Sequence, residues 1–213
     1  MGQIGFGQNL AFWYLKVMKN PRNIWAVGRN YVNHALEMKA ELPSQPMIFL
    51  KSGGCANPGR EIVLPSWVTE VHYEVELALK FDHRLEFSEF ALALDLTERK
   101  LQSEAKAKGT PWTIAKSFQG ACPISPFKRL ESLGEIEQLS IELEVNGTLK
   151  QKGALRDLVF SPSILRDYLC KHFPVEDGDW LLTGTPAGVG PMKSGDRLLG
   201  RISGHLETLW MVV

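Results

Sequence analysis

Alternation of apolar and polar positions with a period of two is cleanest in VHYEVELALKF, Val71 to Phe81. Val71, Tyr73, Val75, Leu77 and Leu79 fall on one face, and His72, Glu74, Glu76, Ala78 and Lys80 on the other. The same period flanks the NG pair of LSIELEVNGTLKQKG, which predicts a hairpin turning at Asn146 and Gly147. NIWAVG, PMIFLKS and REIVLP read as short buried strands, with turn residues GGCANPG between the last two. Helical spacing takes over in GRNYVNHALEM, with an Asn available at the cap. It returns over about 98–107, with Thr97 placed to cap and Gly109 to stop. SPSILRDYLCKHFP predicts a further helix: Ser161 caps it, Pro162 takes its first position, and Leu165, Tyr168, Leu169 and Phe173 form its apolar stripe before Pro174. The segment from DGDWLL onward is glycine-punctuated strand. Strands outnumber helices without alternating with them, so the fold class is α+β rather than doubly wound α/β.

The 213 residues, 44% of them hydrophobic, suffice for one sizeable core. No repeat, low-complexity tract or linker justifies a cut, so residues 21–213 are expected to form a single domain behind an N-terminal arm over 1–20. NLAFWYLKVM in that arm is apolar but short, contains Lys16, and lacks the marks of a signal peptide. A formal net charge of zero offers no basic field to nucleic acid or to an anionic membrane, and neither is expected as a partner. Three dispersed cysteines, Cys55, Cys122 and Cys170, suggest neither a disulfide framework nor a zinc ribbon. A reducing, cytoplasmic setting fits that usage.

Glu74 and Glu76 stand side by side on one strand face, which by itself describes a solvated face as well as a cation site. Three oxygen ligands with spare positions suit Mg2+ or Mn2+, and Asp95, at a strand end before a helix, is the candidate third. Arg99 and Gln102 share a helix face close to Asp95. His34 and Glu37, three apart, make either a surface contact or a histidine oriented to deprotonate water. GTPAGVG lacks the Lys-Ser/Thr ending of a P-loop, so it reads as a tight turn whose amides, with Thr185, approach a small anion. Its glycines Gly184, Gly188 and Gly190 serve turn geometry equally well.

VGRNYVNHALEM, PMIFLKS, HYEVELAL, LDLTERKLQSEAKAKGTPWTIAKSFQGACPISPF and LLTGTPAGVGPMKSGDRL together resemble the fumarylacetoacetate hydrolase family, closest to its short, single-domain acylpyruvate and fumarylpyruvate hydrolases. The resemblance runs from about Ile24 to the C-terminus. It implies a β-rich sandwich or roll with a few short helices, and Mg2+ (or Mn2+, with Ca2+ possible) on Glu74, Glu76 and Asp95. It further implies His34, Glu37 and Lys116 as catalytic groups, substrate binding by Arg29, Arg99, Gln102, Lys116, Gly184 and Thr185, and a homodimer. Two departures stand out. Lys100 follows Arg99 where the family commonly has Asp, and FDHRLEFSEFALALD is shorter and less glycine-rich than the usual connection.

The implied activity is metal-dependent cleavage of the C–C bond of a small 2,4-dioxo acid, such as fumarylpyruvate or acetylpyruvate, to pyruvate and a carboxylic acid. Water activated by His34 attacks the distal carbonyl while the Lewis acid takes up enolate charge. Oxaloacetate decarboxylation and 2-oxo acid isomerisation or hydration need the same metal site, and fold kinship does not separate them. A non-catalytic protein binding divalent metal or small acids is the reading from another class.

Overall fold

The structure, a computed structural model, describes residues 20–37 and 41–213. The expected N-terminal arm therefore lies outside the described residues, apart from Asn20. Strand β1 (Asn23–Gly28) leads to helix α1 (Val32–Glu37), then strands β2 (Met47–Ser52), β3 (Ala56–Asn57), β4 (Glu61–Ile62), β5 (Val71–Tyr73), β6 (Val75–Phe81), β7 (Phe87–Leu94) and β8 (Thr97–Glu98). Helices α2 (Arg99–Lys108) and α3 (Thr113–Lys116) follow, then β9 (Cys122–Pro123), β10 (Lys128–Arg129), helix α4 (Leu133–Ile136), β11 (Ser140–Val145) and β12 (Thr148–Ala154). Helix α5 (Pro162–His172) and strands β13 (Trp180–Leu182), β14 (Gly190–Pro191), β15 (Arg197–Ile202) and β16 (Leu206–Val212) complete the chain.

Two sheets dominate. One has the order β10-β7-β6-β13-β1-β2, antiparallel throughout except for β1 with β13; the other runs β12-β11-β15-β16-β4, with β16 and β4 parallel. Leu77, Leu79 and Leu92 of the first sheet share one core with Ile141, Leu143, Leu198 and Trp210 of the second. Small sheets β14-β5-β8 and β3-β9 lie at the rims. This is the expected α+β, β-rich sandwich with few short helices. The predicted hairpin forms around Asn146 and Gly147, both at positive φ as a type I′ turn requires. In β11, Ile141, Leu143 and Val145 point inward between less buried glutamates. Helix α5 is capped by Ser161, whose hydroxyl accepts from the Ile164 amide, with Pro162 in the first turn.

Four local expectations give way. The single strand over Val71–Phe81 breaks at Glu74: β5 joins the three-stranded sheet and β6 the six-stranded one. The middle of its polar face is dry, since Glu74, Glu76 and Ala78 are all buried, and only His72 and Lys80 at its ends are partly exposed. Thr97 does not cap α2; Glu98 does, accepting from the Leu101 amide, while the Thr97 hydroxyl donates to the Asp95 carbonyl. Gly109 does end that helix, in the left-handed region. Asn30, ahead of α1, stitches the fold instead: its amide donates to the carbonyls of Phe160 and Thr183 and its oxygen accepts from the Phe160 amide. REIVLP contributes only Glu61–Ile62 as strand, and GGCANPG holds a 3-10 turn (Gly53–Cys55) and β3. The three cysteines are free thiols. Among the described residues no helix is long and apolar enough to cross a membrane.

Candidate active site

The hairpin β6–β7 sets the position of three carboxylates. Its register pairs Val75 with Leu94 and Glu76 with Ala93, and the Asp95 amide donates to the Glu74 carbonyl at 2.8 Å just beyond the paired ends. Asp95 thus stands across from Glu74, and Glu76 lies two residues along, on the same face by strand periodicity. All three side chains are buried, at 5%, 2% and 1% exposure, and offer oxygens within 4.8 Å of one another.

Each carboxylate is held differently. Glu74 accepts from Arg99 at 2.5 Å and from Lys116 at 2.8 Å. Asp95 accepts from Lys116 at 2.5 Å and from Lys51 at 2.6 Å. Glu76 accepts from the Gly184 amide at 2.6 Å, with no cationic side chain within 4.0 Å among the described residues. Burial works against the charge on Glu74, but Lys116 and Arg99 overcome it and hold its carboxyl well below the usual carboxylate range. Burial, with the charges of Asp95 and Glu74, pushes the Glu76 carboxyl well above that range.

This donor set fits a hard divalent cation. It is all oxygen, it is shielded from water, and one of its members lacks a counter-charge. The ammonium of Lys116 bridges Glu74 and Asp95, a direct sign that the cluster draws cations.

Of the other expected residues, Arg29, His34, Arg99, Gln102, Lys116 and Thr185 line the same cavity, whereas Glu37 and Gly184 stand behind its wall. Arg99 and Gln102, one helical step apart, are joined by a 2.8 Å hydrogen bond. Helix α1 brings His34 to the cavity wall, with Nδ1 3.3 Å from Glu37 Oε2, which leaves Nε2 as the nitrogen for a ligand. Glu37 also accepts from the Gly188 amide at 3.2 Å. The two amides of the GTPAGVG turn at Gly184 and Gly188 therefore hold carboxylates of the chain itself rather than an external anion. Gly184 is at φ 98, and a Cβ there would lie 2.7 Å from Asn30 Cβ, so only glycine lets this amide reach Glu76. Lys100 is exposed and makes no ion pair among the described residues, so the family's usual acid at this position is replaced away from the cavity.

Two buried polar residues escaped the sequence reading. Lys51 is fully buried on β2, on the same strand face as the cavity residues Met47 and Phe49; its ammonium reaches Asp95 and the Lys116 carbonyl. Burial lowers its proton affinity, but the charge of Asp95 outweighs this and raises it. Gln151 on β12 accepts from the Val75 amide and donates to the Thr185 hydroxyl and the Pro186 carbonyl, tying the second sheet to the cavity. The signal for both was a polar residue at an inward position of a strand.

A β-rich sandwich with a buried three-carboxylate cluster at the end of a central hairpin describes a class of metal-site folds. The model of the fumarylacetoacetate (FAA) hydrolase C-terminal family matches residues 23–208. The chain belongs to that family. It is 40% identical to the mitochondrial oxaloacetate tautomerase FAHD1 of Mus musculus, over 90% of this chain and 91% of that protein. It is 37% identical to the mitochondrial oxaloacetate decarboxylase of Dictyostelium discoideum, over 89% and 92%. The crystal structure of fumarylpyruvate hydrolase from Pseudomonas aeruginosa, in complex with Mn2+ and pyruvate, superposes with a TM-score of 0.85 at 32% identity, covering 91% of this chain and 90% of that one.

Proposed function

We propose that this chain is a divalent-cation-dependent enzyme acting on a small 2-oxo acid through its enol, with oxaloacetate as the substrate and keto–enol tautomerisation as the reaction. The observation that carries the reading is the convergence of Glu74, Glu76 and Asp95 on a cavity also lined by Lys116, Gln102 and His34. The tautomerase relatives, similar over nine-tenths of the chain, favour this reaction over cleavage. Bound by the three carboxylates, Mg2+ or Mn2+ supplies Lewis acidity toward the oxygens of a 2-oxo acid.

The side chains do the rest. His34, oriented by Glu37, takes a proton from carbon 3 at Nε2 and can return one there. Lys116 and Gln102 donate hydrogen bonds to the carbonyl oxygen as it gains charge, Lys116 then gives that oxygen its proton, and proton exchange with solvent restores Lys116 and His34. One proton leaves carbon and one arrives on oxygen, so no water is consumed.

A second reading, acylpyruvate hydrolysis, is favoured by the same His34–Glu37 pair, since an oriented imidazole also deprotonates water. The two are separated by following enol disappearance with oxaloacetate, and pyruvate release with oxaloacetate, acetylpyruvate and fumarylpyruvate, each with Mg2+, Mn2+ or EDTA. Expected is EDTA-sensitive tautomerisation without pyruvate release, slowed about 100-fold or more in His34→Ala. Pyruvate from the acylpyruvates alone would make the protein a hydrolase, and pyruvate from oxaloacetate a decarboxylase.

A further inference from the structure

The cavity has a second charged region that the chemistry above leaves unused. Helix α2 presents Arg99, Gln102 and Lys106 on one face, at spacings of three and four, and all three line the cavity. Arg99 is engaged by Glu74 and Gln102. Lys106 has no carboxylate within 4.0 Å among the described residues; its ammonium lies 5.3 Å from the centre of the Trp112 ring, which is itself part of the wall.

Arg29 enters from the turn between β1 and α1. It too lines the cavity without a carboxylate partner within 4.0 Å among the described residues. Its backbone is in the left-handed region, at φ 60, where an arginine is uncommon, so the turn holds a non-glycine residue in a strained conformation at the cavity. Lys106 and Arg29 act on one another: burial first, then repulsion from Arg99 and from Arg29, lowers the proton affinity of Lys106. Glu74 attracts Lys106 in turn, but that carboxylate is already bonded to Arg99 and Lys116.

We propose that Lys106 and Arg29 seat the distal carboxylate of a dicarboxylic 2-oxo acid and so select such acids over monocarboxylic ones. The proposal rests on the 2-oxo acid reading of the site. A carboxylate between these cations relieves their repulsion and accepts charge-assisted hydrogen bonds from both. The carboxylate and 2-oxo oxygen at the other end of the ligand are left for the three-carboxylate end of the cavity. Trp112, whose ring centre lies 5.3 Å from the Lys106 ammonium, flanks it in the cavity wall.

The test is calorimetric titration of the Mg2+-loaded full chain with L-malate and L-lactate, which share a 2-hydroxy carboxylate head and differ only by the distal carboxylate. Wild type is expected to prefer malate by about tenfold or more. Lys106→Gln and Arg29→Gln are each expected to remove most of that preference, and Lys106→Arg to keep it. Lys106 sits at the exposed end of the cavity-lining face of its helix and makes no ion pair among the described residues, so its replacement is expected to leave the fold in place. Equal weakening of both acids in Lys106→Gln, or an undiminished preference, overturns the seat. Lactate binding without any malate preference in wild type overturns the seat alone. Binding of neither acid, nor of pyruvate, overturns the 2-oxo acid reading and the seat with it.

Discussion

Lys51 shows how much a single buried charge can matter at this site. Its ammonium has no water to solvate it and bonds Asp95 at 2.6 Å, so the pair is stable only while both members are present. Replacing it by methionine strips Asp95 of one of two cationic partners inside the protein, and breaking a buried pair from one side costs about 3–5 kcal/mol. Lys51→Met is expected to lower stability by that order in urea denaturation and to weaken Mg2+ binding, because Asp95 then draws Lys116 more strongly. The sequence displayed this lysine inside the apolar strand PMIFLKS without saying what it faced. His34 and Glu37 were legible as a pair through their spacing, yet the docking of Glu37 on the Gly188 amide joins residues 151 positions apart, beyond any local pattern.

Helix α2 depends on its first turn. Glu98 accepts from the Leu101 amide, the Thr69 hydroxyl and the Glu70 amide, which fixes where the helix begins and hence where Arg99 and Gln102 point. Removing such a cap costs about 0.5–2 kcal/mol. Glu98→Ala is expected to lose stability in that range and to lower the affinity for pyruvate by displacing Arg99. Burial opposes the charge on Glu98, but these donors overcome it and hold its carboxyl below the ordinary 4.5. A lowered carboxyl contributes stability that is present above 4.5 and is lost as pH falls through its folded value. The wild-type loss of stability on acidification should therefore shrink in Glu98→Ala, as read by denaturant midpoints across that range. At this scale the hairpin at Asn146–Gly147 and the capped helix α5 were readable, since turn and cap chemistry is local. The cap of α2 was misassigned to Thr97 because a glutamate gathering donors from residues 69 and 70 is a tertiary event.

At the scale of the whole molecule, the proposed metal binding is expected to depend on pH through the charges of the cavity. The raised carboxyl of Glu76 makes a contribution to stability that is present below the ordinary 4.5 and is lost as pH rises through its folded value. A divalent cation on the cluster offsets that loss, so the stabilisation it gives should grow with pH. Measured near pH 4.5 and again at a clearly higher pH, the difference between the melting temperatures with Mg2+ and with EDTA should grow from the first to the second. Equal shifts at both would place the cation away from Glu76. In Gly184→Ala the added Cβ meets Asn30 and the left-handed φ is strained; the Mg2+-dependent shift should fall along with the overall melting temperature.

By itself the sequence determined the local elements and the kinship. Alternation, NG turn chemistry and capping act between residues a few positions apart, and the long family motifs marked Glu74, Glu76 and Asp95 before any geometry was known. Only the tertiary structure decided that both faces of the Val75–Phe81 strand are buried, because burial depends on what packs against each face. Only it decided that Lys106 lines the cavity and that Lys51 and Gln151 bond the wall residues Asp95, Lys116 and Thr185. Their neighbours there lie tens of residues away along the chain, and a local pattern carries no information about contacts made across sheets.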